Sequence, residues 1–461
     1  MLVPRIEKSM GIEVYATRSP GIGGVIRQNV EDFVVEELLV DRSKAEIRSG
    51  RTRASLNVLG SSPVKNRYLL CVLVKRNWDT FIALRNIAAQ LGINTNRIQI
   101  AGIKDAKAIT AQHVTVENVS TEDLKKVAVK DMDIRPIGYM RNKLSSYYLM
   151  GNSFKITITG IKHSKPTVQE RVAKVMQELD AVGGVPNFFG HQRFGTTRTI
   201  THLVGEALVE GKLERAATLF LAKPSQCEHP ASREARRELQ KTRNFKLALK
   251  NFPKQLRYER SMLTHLAERP NDFSGAFRRL PFKLRELFIQ AFQSFLFNRF
   301  LSERIERGLP LNVASVGDYV VNVDRSGLPM AIMHRTVETA TLEEINDLIT
   351  AGKMRLAIPL IGFKQHPSDG VQGEIEKRIL KQENVSMEDF RITVMPEMAT
   401  RGQLRTATTP LNDFSLDEVS QDTARPPRHT AKVSFTLQHG SYATILLREL
   451  MKPRNVIEEG F

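Results

Sequence analysis

The segment from Pro281 to Gly308 constrains the fold more than any other part of this chain. Its apolar residues, Leu284, Phe288, Ile289, Phe292, Phe295, Leu296 and Phe300, fall nearly all the way round a helical wheel. Such a helix has no face to give to water, so it must run through the middle of a core. Pro281 and Gly308 mark its two ends. Ser294 and Asn298, four residues apart, are expected to share a polar edge on it. One core does not account for all 461 residues, so two or three domains are expected.

Elsewhere the periods mix. A helix is expected from Asp79, its cap, to Leu91, with Gly92 in the left-handed position that ends it. Another is expected over Thr167 to Ala181, with Val168, Val172, Val175, Met176 and Leu179 at helical spacing and Gly183-Gly184 as its stop. Three segments alternate instead: His113 to Val119, Phe154 to Gly160 and Lys432 to Leu437. In the second, Phe154, Ile156 and Ile158 share one face while Lys155, Thr157 and Thr159 share the other. Half-buried strands of this kind imply a largely antiparallel sheet with one face wet or partly covered. A further strand is expected over Arg97 to Ile103. The class is α+β, with strands towards both ends of the chain.

No stretch approaches the roughly 18 apolar residues of a membrane span, and the longest clean run, Tyr68 to Val74, has strand length. The first residues carry no apolar leader, so a cytoplasmic location is expected. Cys71 and Cys227 are far apart and outside any CxxC, which excludes a disulfide framework or zinc cage as the organising principle. No GxxxxGK[ST], HExxH or carboxylate-rich cluster is present, so neither a P-loop NTPase nor a metal hydrolase is indicated.

The charge points to a polyanion. Sixty-eight Lys and Arg against 50 Asp and Glu leave +18. Half of that excess, +9, lies in residues 41–110, and +7 lies between Arg233 and Arg260. Two separate basic stretches suit a long nucleic acid better than a small acidic molecule, although the second also reads as a solvated helix face. Residues 41–66, polar and without period, read as a long mobile loop whose arginines order on phosphates.

Three stretches carry chemistry. In Ala101-Gly102-Ile103-Lys104-Asp105 a strand end delivers Asp105 into a turn ringed by positive charge. Such surroundings favour an ionised carboxylate, which suits a nucleophile better than a general acid, and an ordinary turn aspartate is the plain alternative. Val185 to Gly195 interleaves Phe188, Phe189 and Phe194 with Asn187, Gln192 and Arg193, a loop able to stack a base and bond its edges. Arg27 precedes Glu31-Asp32-Phe33-Val34-Val35, a weak signal alone.

Together these stretches closely resemble the TruD family of tRNA pseudouridine synthases. The AG-x-KD and A-[VI]-T-x-Q pattern is met by Ala101 to Gln112, and N-[YF]-F-G-x-Q-R-F-G by Asn187 to Gly195. Arg27 stands before the EDF-x-V motif, and further agreement continues to Arg448-Glu449-Leu450, so the resemblance covers nearly the whole chain. It implies the pseudouridine synthase fold, a mixed, mainly antiparallel sheet flanked by helices, formed by residues 1–195 and 390–461. An inserted α/β TRUD domain would occupy residues 196–389. It also implies Asp105 as the catalytic aspartate, Arg27 as its ion-pair partner and Phe189 as the ring that stacks on the target base. Asn187 would hold the site, and Lys104, Glu31 and Arg193 would line the substrate. The implied substrate is tRNA, typically at uridine 13. The reaction exchanges only a proton, so neither cofactor nor metal is implied. The rivals are an RNA-binding protein with a structural Asp105, and a nuclease with Asp105, Glu31 and Glu36 on a divalent metal.

Overall fold

The computed structural model describes residues 2–48, 58–421 and 427–461. They pack as two compact units, Ser19–Val185 with Thr409–Gly460, and the residues up to Arg18 with Pro186–Thr408 and Phe461. The expected insertion ran over 196–389, whereas the division by packing falls at 186 and 408 and gives the start of the chain to the second unit. Two side chains of the long helix explain that allegiance. Asn298 donates to Met10 O at 3.0 Å and Ser302 donates to Gly11 O at 2.8 Å, which ties the first residues to the helix.

The first unit opens with β1 (Phe33–Leu39) and β2 (Tyr68–Arg76). Next comes α1 (Thr80–Gln90), whose cap Asp79 accepts from Ile82 N–H at 3.0 Å, with Gly92 at φ +65° beyond its end. Then follow β3 (Ile98–Ile100), β4 (Ile109–Glu117), β5 (Met132–Met140), β6 (Leu149–Ile161) and α2 (Lys165–Ala181). The strand expected to reach Ile103 stops at Ile100. The irregular stretch after it carries the candidate catalytic residue.

The second unit is built around α7. It holds α3 (Thr201–Val209), α4 (Pro230–Thr242), α5 (Phe245–Asn251), α6 (Arg257–Glu268) and α7 (Phe282–Glu306). Phe288, Phe292, Leu296, Phe297 and Phe300 on α7 are all buried, each worth roughly 1.5–3 kcal/mol of transfer free energy. Gly205 on α3 lets the two backbones touch, since a Cβ there would sit 1.9 Å from Phe288 O. Strands β7 (Tyr319–Val323), β8 (Pro329–Thr336), β9 (Met354–Leu360) and β10 (Gln403–Thr406) form a sheet in the order β10-β9-β7-β8. The chain then returns to the first unit with β11 (Leu411–Gln421) and β12 (His429–Gln438).

Among the described residues the first unit's sheet has eight strands, in the order β11-β12-β6-β1-β4-β2-β5 with β3 on the side of β4. Every pairing is antiparallel except β1 with β4. The expectation of a half-wet strand fails for His113 to Val119. Thr110, Gln112, His113 and Thr115 of β4 are all buried, because both faces of this central strand are covered. On one face Leu84, Ile87 and Ala88 of α1 pack with Cys71, Val114 and Val116, and burial pushes the Cys71 thiol up. On the other, Ala101, Met140, Leu144 and Leu149 cluster with Tyr68 and Leu70. Three of the four survive by pairing: Thr115 Oγ1 lies 3.3 Å from Gln99 Oε1, Gln112 donates to Gly102 O at 3.2 Å, and His113 N–H donates to Glu37 at 2.9 Å, whereas the Thr110 hydroxyl has no partner among the described residues. The ends of the expected 41–66 loop are also tied down. Lys44 pairs with Glu36 at 2.7 Å, and Asp41 accepts from Leu59 N–H at 2.7 Å. The loop arginines Arg51 and Arg53 lie outside the described residues.

Candidate active site

Asp105 lies in an irregular turn between β3 and β4, and buried side chains fix that turn through its backbone. Lys75, at the end of β2, is fully buried and donates to Asp105 O at 2.7 Å and to Trp78 O at 2.8 Å. Burial pushes its ammonium down to about 8, against the opposing pull of Asp105 and Asp79. Thr80 at the start of α1 closes both backbone groups of Lys104, accepting from its N–H at 3.2 Å and donating to its carbonyl at 3.0 Å. With its backbone held at Lys104 and Asp105, the turn has little freedom left.

Arg27 pairs with the Asp105 carboxylate, Nη2 to Oδ1 at 3.4 Å. The carboxylate side chain keeps 26% of its surface exposed and the guanidinium side chain only 11%. The guanidinium lies over the Phe33 ring, 4.0 Å from its centroid, and its Nη1 donates to Gly460 O at 3.2 Å. Burial lowers the Arg27 pKa and the Asp105 charge opposes that shift. Arg27 adopts φ +58°, a left-handed backbone that costs a non-glycine residue about 1–2 kcal/mol. The fold bears that cost where the side chain reaches Asp105.

Lys104, expected to line the substrate, is spent elsewhere. Its Nζ lies 2.7 Å from Glu37 Oε2, with both side chains buried. Glu37 also accepts the His113 backbone N–H at 2.9 Å, and the His113 Nδ1 is 3.2 Å from the same oxygen. Burial alone would push the Glu37 carboxyl up, but Lys104 and His113 outweigh it and hold it below the usual carboxylate range. Glu31 pairs with Arg76 on the surface. Sequence reasoning missed Glu37 and Lys75, since each reads as an ordinary charged residue within or ending a strand.

In the second unit the loop after Pro186 presents Phe189. Asn298 of α7 accepts from Phe189 N–H at 2.9 Å and donates to Phe189 O at 3.1 Å, so one side-chain amide clamps both backbone groups. Ser294, expected to share a polar edge with it, instead donates to Gln290 O within its own helix. Asn187 bonds Ala407 O through its backbone and Thr406 Oγ1 through its amide. Arg405 of β10, absent from the sequence reading, grips Asn187 at both oxygens, at 2.9 and 2.6 Å. The same guanidinium lies 4.0 Å from the Phe189 centroid, and Phe297 meets the ring edge-on at 5.6 Å. Phe189 is 5% exposed and lines a cavity of about 340 Å³ together with Arg193, Gln290, Gln293 and Thr400. Arg193 reaches towards Gln290 Oε1 at 3.3 Å and lies 5.3 Å from the Phe189 centroid.

The second basic stretch is part structure and part surface. Arg236 is buried between Glu228 at 2.9 Å and Glu259 at 2.6 Å. Arg260 donates to the carbonyls of Leu249 and Phe252. Lys241, Lys246, Lys250 and Lys254 are exposed and make no ion pair among the described residues.

Comparison with known proteins agrees from end to end. The family model described as tRNA pseudouridine synthase D (TruD) matches residues 9–450. The "Probable tRNA pseudouridine synthase D" of Methanosarcina acetivorans is 39% identical over 452 residues, covering 98% of each chain. Its counterpart in Pyrococcus abyssi is 34% identical over 438 residues, 95% of this chain and 98% of that one. A crystal structure described as tRNA pseudouridine synthase D (TruD) from Methanosarcina mazei superposes with a TM-score of 0.83 at 37% identity, covering 99% of this chain and 100% of that one. With its mixed, mainly antiparallel sheet, its turn aspartate and its full-length relatives, the chain belongs to the TruD family of tRNA pseudouridine synthases, enzymes of the isomerase class.

Proposed function

We propose that this enzyme isomerises uridine 13 of tRNA and that Asp105 is the group that drives the reaction. The observation that carries the reading is the Asp105–Arg27 pair, a partly exposed carboxylate beside a mostly buried cation. Pseudouridine formation breaks N1–C1′, turns the uracil over and joins C5 to C1′, with the C5 proton passing to N1. An ionised carboxylate assists either by attacking C1′ or by taking a proton from the sugar, and the Arg27 cation stands beside it. Lys104, held by Glu37, and Lys75 act as positioning residues for the Asp105 turn. Phe189 stacks on the flipped base, Asn187 fixes the loop, and Arg193 and the exposed Glu31 contact the RNA. Flipping the uridine costs roughly a few kcal/mol, which stacking and phosphate contacts offset. The work is cytoplasmic, where tRNA is the substrate; no described helix is long and apolar enough to cross a membrane.

The test is to incubate purified protein with unmodified tRNA in EDTA and map pseudouridine by position. The expected result is modification at position 13 without divalent metal. Modification at another position would refute the site, and none at all would refute the activity for this substrate. Asp105→Asn, nearly isosteric, should keep tRNA affinity and lose turnover. A variant retaining more than about a tenth of the rate, about 1.4 kcal/mol of barrier, would remove Asp105 from the catalytic role.

A further inference from the structure

A second cavity lies in the first unit, and its lining includes none of the candidate catalytic or substrate residues. It encloses about 470 Å³ and is lined by Leu59, Val64, Asn66, Arg141, Asn142 and Tyr148 among others. That is the size of a small-ligand site. We propose that it accepts one unstacked base of the RNA substrate, a nucleotide other than the one being isomerised. The proposal rests on the tRNA reading above.

Three observations point to a base. The walls are fixed before any ligand arrives. Ser62 and Tyr139 exchange backbone hydrogen bonds at 3.0 and 2.7 Å, and Tyr148 O accepts from Val40 N–H at 3.0 Å. The lining then offers what a base edge needs. Asn142 has both amide groups uncommitted among the described residues, and Asn66 uses only its oxygen, which accepts from Arg67 N–H at 2.8 Å. Side-chain amides and guanidinium groups are the groups that pair with base edges, and aromatic rings carry the faces. Tyr148 supplies one ring, and Tyr147, 83% exposed, stands beside it edge-on at 5.7 Å. The rim, finally, is positive. Arg141 of the lining and its neighbours in sequence to other lining residues, Lys65 and Lys143, are exposed and make no ion pair among the described residues, and no carboxylate lines the cavity.

The cavity is also tied to the catalytic strand end. Leu149, the residue after Tyr148, lies so close to Gly102 that a Cβ there would come 2.9 Å from its Cδ2. Gly102 and Asp105 are three residues apart, so at most about 11 Å of chain separates them. The segment that lines the cavity thus continues into a residue packed against the stretch of chain that leads to Asp105.

The decisive variant is Asn66→Ala with Asn142→Ala, which removes base-reading groups and no charge from an exposed surface. Affinity for unmodified tRNA should weaken about tenfold while the salt dependence of binding keeps its slope, since no phosphate contact is lost. Single abasic substitutions across the unpaired nucleotides of the tRNA should show one position that weakens wild-type binding and leaves the double variant unaffected. Unchanged affinity in the double variant, or no such position, would overturn the proposal. A wild-type protein that binds tRNA but forms no pseudouridine would refute the activity reading, and the binding comparison would still decide the cavity.

Discussion

The Asp105 turn and the Phe189 loop are both irregular segments held by side chains from other parts of their own unit, yet the holding forces differ in kind. Around Asp105 they are ionic. Lys75 grips the backbone, Arg27 pairs with the carboxylate, and Lys104 is locked to Glu37 and His113. Around Phe189 they are mostly neutral: the Asn298 amide clamps the backbone on both sides, and the Arg405 guanidinium meets the oxygens of an uncharged asparagine. An ionic scaffold suits a residue whose charge must be kept, because neighbouring cations favour the carboxylate. A neutral scaffold suits a ring that must stay in one place at every pH. The two regions should therefore fail in different ways when their supports are removed.

The largest effect is expected on the neutral side. Asn298→Ala leaves Phe189 N–H, Phe189 O and Met10 O without their partner deep in the second unit. Unfolding by urea should show a loss of about 2–3 kcal/mol, the cost of removing three buried hydrogen bonds. Turnover should fall as the ring loses its position, while the pH–rate profile keeps its shape because nothing titratable has gone. A profile whose limbs move in Asn298→Ala would erase the contrast between the two regions.

The ionic side should respond in the opposite manner. Arg27→Met removes the cation beside Asp105 while preserving much of the contact with Phe33. Activity at neutral pH should drop about tenfold, about 1.4 kcal/mol, because the carboxylate has lost the cation that holds it in place. Arg27→Lys should return part of the rate. An Arg27→Met variant that keeps the wild-type rate would mean that the pair is dispensable to the reaction.

Local pattern and covering surface were legible to different degrees. The buried helix α7 appeared in its all-round apolar wheel, and α1 in its Asp79 cap and Gly92 stop. The alternation at Phe154 also appears as a strand, β6. The alternation at His113 misled, because period two reveals which residues share a face but not whether a second layer covers the other. Gln112 and His113 look solvent-facing until Gly102 and Glu37 are seen beside them. Lys104 and Arg236 show the same limit for charge. Both count towards a basic stretch in the sequence, and both are spent on buried glutamates in the fold. The pairing of Arg27 with Asp105, suggested by the family resemblance, is present at 3.4 Å, whereas composition could not have revealed the left-handed backbone that aims Arg27.

Lys75 offers the finest test of the ionic scaffold, with the smallest expected change in rate. Burial lowers its pKa from the ordinary 10.5 to about 8, so the folded chain releases this proton at a lower pH than the unfolded chain. Below pH 8 both states hold the proton, and the cost of burying the charge is fully present. Between about 8 and 10.5 the unfolded chain binds more protons, so stability contributed by this site rises with pH. Lys75→Gln, which can still donate two N–H bonds but does not titrate, should lack that rise when melting temperature is followed across the same window. Turnover should change less than about threefold through pH 8, a fraction of the 1.4 kcal/mol that makes a tenfold change. The neutral amine retains two N–H groups, enough for Asp105 O at 2.7 Å and Trp78 O at 2.8 Å, and gives up only the 3.5 Å contact with Lys104 O. A sharp loss of rate near pH 8 that Lys75→Gln abolishes would show that the ammonium's charge, and not its hydrogen bonds alone, supports the Asp105 turn.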